Sequence, residues 1–466
     1  MSDQQHQTRT QTAKDAGGFA LGILFWVVVW FAVAAFINND LLLAGPLDTL
    51  CSLGNSLAEP NFWSAVGTTS LRILVTGTIA AVAGVILGAL GYRFALVRRI
   101  FAPALQVMKS APVACVIVIV LVAWGANGAL IVIVAFVAFP PFYVGIQQAL
   151  AERPRATENV LRLEGVAQWR IFFACAWPAA LPFFTAASKT AVALSWRAGI
   201  TAELLCLPLG TIGAAVYTSK LTLDSAELLV WTIMVMVLSW LTEKVVLGLL
   251  RLSGHSYRLA LRGLPANTRT NEVTSASPAL TLRNVSKSYD STGVIEDLSL
   301  YVMPGERVCL MAPTGSGKST TLGILLGLTT PDSGTIEAPH PLGVVLQECT
   351  LARDLTAQQN IALAASTASA AEIETALNEL LPAEATAKKA TELSGGMKRL
   401  TELVRALLSP GRAIILDEPF AGLDTETHER ACALIRANLH DRPLIIATHD
   451  EHDAARLDAE IVRLER

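Results

Sequence analysis

No two of the seven cysteines, Cys51, Cys115, Cys175, Cys206, Cys309, Cys349 and Cys432, form a Cys-x-x-Cys pair, and no histidine stands at ligand spacing from them. That argues against a disulfide framework and a zinc site, and leaves the thiols as expected buried apolar side chains. Charge is scarce as well: Asp, Glu, Lys and Arg make up 16% of the 466 residues. The formal net charge of −3 comes with no basic tract, so nucleic acid is not an expected partner. Apolar residues take the place of charge, at 52% of the chain. They are unevenly placed: long uncharged runs recur through residues 18–252, and beyond about residue 263 the composition becomes that of a soluble domain. Length alone suggests two or three domains.

Residues 1–17 are polar and rich in Gln and Thr, and read as a mobile tail. A helix needs about 20 apolar residues to cross the hydrocarbon core. Six stretches qualify, at about 18–37, 71–92, 104–124, 128–150, 183–205 and 225–250. The first could be mistaken for a cleaved signal, but further spans follow it, so it is expected as a transmembrane helix. The third and fourth are separated only by the turn Gly125-Ala126-Asn127-Gly128. Basic residues cluster in alternate loops: Arg93, Arg98 and Arg99, then Arg153, Arg155, Arg162 and Arg170, then Arg251, Arg258 and Arg262. The segment 38–64 has only Asp40, Asp48 and Glu59, and 206–224 only Lys220 as a cation. The positive-inside rule then places both termini in the cytoplasm.

Gly77, Gly84, Gly88 and Gly91 in the second span allow close helix approach, either within one chain or between two. Arg197 and Glu203 lie inside the fifth span, where ionisable residues face a pathway, a partner or the bundle interior. Lys109 and Lys189 are further membrane-embedded cations. The loop 155–178 mixes apolar and basic residues as amphipathic surface helices do. Gly165 permits a turn within it, and Pro178 and Pro182 are expected to end its second helix before the chain re-enters the membrane.

Residues 263–279 form a polar linker, after which strands begin. Leu280–Tyr289 alternates, and Gly305–Ala312 is an apolar run ending in Ala312-Pro313-Thr314-Gly315-Ser316-Gly317-Lys318-Ser319-Thr320. Strand, Gly-rich loop and helix are the context of a phosphate-binding loop, whose backbone N–H groups point at phosphate oxygens. Lys318 is placed to contact β- and γ-phosphates and Ser319 to hold Mg²⁺. Ala312 stands where such loops usually begin with Gly. Downstream, Ala413–Leu416 is an apolar strand ending in Asp417-Glu418. A core strand explains the apolar run but not two acids at its end. Asp417 suits Mg²⁺ and Glu418 suits activation of an attacking water.

Two resemblances now cover most of the chain. Over residues 60–250, the loop around Gly165 and Pro178, the span beginning Ser70-Leu71-Arg72 and the run Ser195–Glu203 resemble binding-protein-dependent ABC importer permeases of the sulfonate, taurine and nitrate branch. The Glu-Ala-Ala of that family's coupling loop is absent: Asn159 stands at the Glu position and Glu158 one residue early. Over residues 280–466, Leu393-Ser394-Gly395-Gly396-Met397 resembles the ABC signature, with Met for the usual Gln. Arg399-Leu400 stands where Gln-Arg is usual.

The resemblance implies that Gln347 is the Q-loop residue on Mg²⁺, Asp424 the D-loop acid, His449 the switch histidine and Tyr289 the aromatic on adenine. Only 45 residues separate Gln347 from Leu393, so a trimmed helical subdomain is expected. The resemblance also implies a helical membrane domain (18–262) followed by an α/β ATPase domain (280–466). It implies ATP and Mg²⁺, a homodimer pairing each phosphate loop with its partner's signature, and a separate extracytoplasmic solute-binding protein. Import of a sulfonate-, taurine- or nitrate-like anion across the bacterial inner membrane is the first expectation. A thiamine-precursor pyrimidine, or export by a half-transporter, are the alternatives. A non-transport sensor ATPase is a third.

Overall fold

The computed structural model describes residues 18, 21–22, 24–39, 41–261, 280–289, 292–311, 313 and 316–464, without side chains at 256 and 257. The N-terminal tail, the linker 263–279 and Ala312 lie outside the described residues. The chain divides into two compact units, Met1–Ala151 with Pro182–Arg251, and Glu152–Leu181 with Leu252–Arg466. The loop expected to lie at a membrane surface thus groups by its contacts with the C-terminal residues.

Among the described residues four helices are long and apolar enough to cross a membrane: Pro60–Arg93, Val113–Ala151, Gln168–Cys206 and Ser225–Ala260. The apolar helix Leu24–Ile37 is shorter. The third expected span, 104–124, is cut in two. Helix Ala95–Ser110 stops at Ala111, whose backbone is extended (φ −70°, ψ 135°), as a following proline demands. A new helix starts at Val113 and is interrupted at Gly125 (φ 71°, ψ 179°). Val113 and Val137 line one cavity, although along an unbroken helix they would stand about 36 Å apart. The chain therefore reverses at Gly125, where the sequence placed a turn. The arm before it spans only about 18 Å, too short for a bilayer.

The glycine stripe is answered within one chain. A Cβ at Gly84 would lie 2.9 Å from the Phe139 carbonyl oxygen, one at Gly88 2.6 Å from that of Tyr143, and one at Gly91 2.9 Å from Gln147 Nε2. Helix Pro60–Arg93 can meet Val113–Ala151 this closely only without side chains at those positions. Glu203 is buried and tied up: Thr69 Oγ1 lies 3.0 Å from both its oxygens, the Gly213 N–H donates to it at 3.0 Å, and Arg72 stands 3.6 Å away. It closes the turn after its own helix, a structural role. Arg197 is exposed and does not share this cluster.

In the second unit, helix Arg155–Leu163 buries Thr157, Glu158, Val160 and Leu161. Glu158 accepts from Arg153 Nε at 3.0 Å and Nη2 at 2.6 Å, so it braces its own loop. Gly165 turns the chain at φ +85°, with room for only a tight Cβ contact to Pro341. The prolines do not end the helix that follows. The chain stays helical from Gln168 to Cys206 and widens to a π-turn at Phe172–Ala176. Pro178 has no N–H for the Ala174 carbonyl and its ring crowds that oxygen, which a wider turn accommodates.

The rest of this unit is α/β. Strands β1 (Leu280–Tyr289), β2 (Thr292–Val302) and β4 (Ser333–Glu337) form an antiparallel sheet in the order β2-β1-β4. Strands β3 (Arg307–Met311), β5 (Leu342–Val345), β6 (Ala413–Asp417), β7 (Leu444–Ala447) and β8 (Glu460–Arg463) form a parallel sheet in the order β5-β6-β7-β3-β8. β5, β6 and β7 are almost wholly buried, as apolar runs between two helical layers must be. Short helices Ala357–Ala364, Ala370–Leu380 and Ala383–Thr386 fill the interval between Gln347 and Leu393. Cys51, Cys115 and Cys349 are exposed, contrary to the expectation of buried thiols; Cys175, Cys309 and Cys432 are buried.

Candidate phosphate-binding site

In a parallel sheet the loops at the carboxyl ends of neighbouring strands converge on one crevice. Here the order β6-β7-β3 makes neighbours of three such loops. The loop after β3 ends at Gly317 (φ +86°), which caps helix Lys318–Leu325. A Cβ at Gly317 would fall 2.8 Å from the Val294 carbonyl oxygen, so both the φ and the space require glycine. Ser316 is buried and its hydroxyl donates to the Pro313 carbonyl at 2.8 Å; Pro313 is exposed. Ser319 is exposed and Thr320 half-buried on the first helical turn. Thr314 and Gly315 lie outside the described residues.

The end of β6 supplies Asp417 and the loop after it Glu418, and the loop after β7 supplies His449. Lys318 Nζ sits 2.6 Å from Glu418 Oε1 and 3.2 Å from His449 Nε2, which is itself 3.3 Å from Glu418 Oε1. Glu418 holds a left-handed backbone (φ +48°), fixed by its N–H donating to the Ala447 carbonyl at 2.8 Å. Such a conformation in a non-glycine residue costs about 1–3 kcal/mol and turns the side chain out of the strand direction. Asp417 is 7% exposed and its Oδ1 has no hydrogen-bond partner. Burial pushes its carboxyl above the usual aspartate range, against the pull of Lys318.

These groups fit Mg²⁺. The ion takes hard oxygen donors, commonly one or two from protein and the rest from phosphate and water. The orphaned Asp417 oxygen and the exposed Ser319 hydroxyl beside Lys318 form such a donor set. Among the described residues no cluster of three or more His, Cys, Asp or Glu offers a metal a cage made by protein alone.

The other anticipated residues lie elsewhere on the same unit. Tyr289 ends β1, half-exposed, with Lys287 Nζ 5.5 Å above its ring. Ser394 caps helix Gly395–Leu408 by accepting from the Met397 N–H at 3.3 Å; Ser394 and Gly395 are exposed, Gly396 and Met397 half-buried. Asp424 caps helix Thr425–Leu439, accepting from the Thr427 N–H at 2.9 Å and Oγ1 at 2.8 Å, bonds that hold its carboxyl below the usual range. Gln347 is exposed, and its carbonyl accepts from Arg399 Nη2 at 2.6 Å.

That last bond belongs to a network the sequence reading missed. Arg399 also bonds the Leu346 carbonyl. Glu402 accepts from Thr350 N–H and, at 2.8 Å, from Thr350 Oγ1. Arg405 donates to the Thr350 carbonyl at 3.0 Å and its hydroxyl at 2.9 Å. Arg405 Nε lies 3.1 Å from Glu164 Oε1 and 3.0 Å from Oε2, with both side chains fully buried. Helix Gly395–Leu408 thus ties the Gln347 segment to the Gly165 turn. Two signals were available. Arg399 and Glu402 lie three apart on one helix face, and Glu164 is an acid directly beside the glycine that turns the loop.

Comparison with known proteins agrees with this geometry. Residues 295–421 match the family model of the ABC transporter, and residues 80–258 match that of the binding-protein-dependent transport system inner membrane component. An aliphatic sulfonates import ATP-binding protein from Granulibacter bethesdensis is 34% identical over 193 residues, 81% of its own length and 41% of this chain. The chain belongs to the ABC transporter family. A Nod factor export ATP-binding protein I from Burkholderia pseudomallei is 37% identical over 38% of this transporter, which spans only 64% of that relative's length. A solved bacterial ABC transporter cassette aligns over 40% of this transporter and 94% of its own chain at 27% identity, with a TM-score of 0.36. The permease match and the apolar helices make this transporter a multi-pass membrane protein.

Proposed function

We propose that this chain couples ATP hydrolysis to import of a small anionic solute delivered by a separate binding protein. The observation that carries the reading is the match of residues 80–258 to a binding-protein-dependent permease component, on the same chain as an ABC domain. The sulfonate-import relatives favour the anion. The Nod factor relative bears an export name, and the import reading rests on the permease match over residues 80–258. The basic loops favour an orientation with both termini and the ATPase domain in the cytoplasm beneath an inner membrane.

Each residue then has a task. The backbone N–H at Gly317, with Lys318, holds the β- and γ-phosphates at a helix N-terminus. Ser319 and Asp417, joined by Gln347 of the Q-loop, hold Mg²⁺, which supplies neutralisation of phosphate charge. Glu418 takes the proton from the attacking water, His449 contacts the γ-phosphate and Tyr289 stacks on the base. The signature residues Ser394, Gly395, Gly396 and Met397 complete the site of a second copy, with Asp424 at the seam, so the working unit is a homodimer. The Gly165 turn and Pro178 lie on the loop that passes closure to the spans.

The test is uptake into proteoliposomes, with the partner binding protein supplied and taurine, ethanesulfonate and nitrate offered. Anion-dependent, ATP-dependent accumulation on the side of the ATPase domain is expected, and Lys318→Ala should abolish it. Accumulation on the opposite side, or none with any anion, overturns the reading.

A further inference from the structure

The first unit carries an open cavity of about 450 Å³ lined by residues from four stretches of helix, among them Lys109, Val113, Pro140, Pro141, Gln148 and Thr190. Most of its wall is apolar, and Lys109 is the single ionisable side chain in it. Among the described residues no ion pair or hydrogen bond engages the Lys109 ammonium, which is exposed. A cation left unpaired among membrane-spanning helices is costly and marks a pathway more often than a packing site.

The backbone beside it is broken in two places. Ala111 separates the helix ending at Ser110 from the one starting at Val113. Pro140 and Pro141 lie inside a helix and provide no N–H for the carbonyls of Phe136 and Val137. Open main-chain groups at membrane depth persist where they border a wet cavity. The helix beginning at Val113 starts on the cavity wall, and the positive end of its dipole there favours an anion.

Charge continues beyond the cavity. Thr190, Leu194, Arg197 and Thr201 follow one another at spacings of four, three and four on one helix face, and all four are exposed. Lys189 is exposed next to Thr190. The described residues give Arg197 no side-chain partner. Among the described residues no acid pairs with this face: Glu203, on the same helix, is buried and held by Thr69, Gly213 and Arg72.

We propose that the Lys109 cavity and the Arg197 face line an anion-selective passage for the transported solute. The idea rests on the transport reading above and adds to it a site and a chemical class, a small organic or inorganic anion such as a sulfonate. Lys109 and Arg197 are its specificity-determining residues. Gln148 supplies a neutral hydrogen bond to the anion's oxygens.

Thiol chemistry tests this on the full chain in proteoliposomes. In a background with the native cysteines replaced by serine or alanine, Thr190→Cys puts a thiol on the cavity wall while both cations remain. The probes are sulfonatoethyl and trimethylammonioethyl methanethiosulfonate, each normalised to its rate with a free thiol in solution. The anionic reagent should react about tenfold faster or more, the range that focused charge gives association rates. Lys109→Gln should bring the ratio close to one, Arg197→Gln should lower it, Lys109→Arg should keep it, and added ethanesulfonate should slow the anionic reagent. Equal rates, a preference for the cationic reagent, or no reaction of protein that elutes as a folded dimer overturns the passage. The readout needs neither nucleotide nor binding protein. Failed uptake with the preference intact therefore removes the import reading alone, and intact uptake without the preference removes the passage alone.

Discussion

Glu418→Gln should lower ATP turnover by about 10²–10⁴-fold, the usual contribution of a general base, while nucleotide still binds. The substitution is close to isosteric, so it keeps the left-handed backbone at this position and the N–H bond to Ala447. It removes the negative oxygen that lies 2.6 Å from Lys318 Nζ and 3.3 Å from His449 Nε2. Lys318 then loses a competitor for its charge, so nucleotide affinity should hold or rise as hydrolysis stops. Phosphate release and equilibrium binding of a fluorescent ATP analogue, measured on the same preparation, separate the two effects. Turnover unchanged within about twofold would falsify the assignment of Glu418 as the base. Asp417→Asn should behave differently: it loses hydrolysis together with the Mg²⁺ dependence of binding, because its orphaned oxygen is the buried donor of the site.

The candidate residues of the phosphate site are legible in the sequence because each is tied to a local signal. An apolar strand followed by Gly-x-Gly-Lys-Ser needs little tertiary context, and neither does an apolar strand closing on Asp417-Glu418. Their convergence was not legible, since it depends on β6, β7 and β3 being neighbours while far apart in sequence. The membrane half shows the converse. Apolar runs are visible, but where helices end is decided by single residues. Pro112 cut an expected span at Ala111, whereas Pro178 and Pro182, expected to end a helix, were absorbed by a π-turn and a continuous helix. Proline forbids one hydrogen bond, and whether a helix breaks there depends on what its neighbours can repack. Glycines at 84, 88 and 91 were read as a packing face without a partner; Phe139, Tyr143 and Gln147 are 55 or more positions away in sequence.

Glu164→Leu should destabilise the second unit by about 3–5 kcal/mol, the usual loss when one partner of a buried ion pair is removed. Arg405 is fully buried and would keep its charge with only Thr350 to bond. The double variant Glu164→Leu with Arg405→Met removes both charges and should recover most of that loss, since apolar replacement of a whole buried pair is often close to neutral. Thermal unfolding of the purified full chain reads both. A pair that adds only its separate losses, with no recovery in the double variant, sinks the idea that the two residues act as one unit. The pair also predicts a pH response. Burial pushes the Glu164 carboxyl up to about 7, although Arg405 pulls the other way. An acid whose folded pKa is raised favours the folded state in its protonated form. Its stabilisation is complete below the ordinary value of 4.5 and is lost as the pH rises through about 7. The wild-type melting temperature should therefore fall across that window, and Glu164→Gln, which keeps an acceptor oxygen but cannot ionise, should flatten the slope. Because the same helix carries Arg399 to the carbonyl of Gln347, the loss should reach function. Glu164→Leu should weaken stimulation of ATP hydrolysis by a solute-loaded binding protein more than it weakens basal hydrolysis.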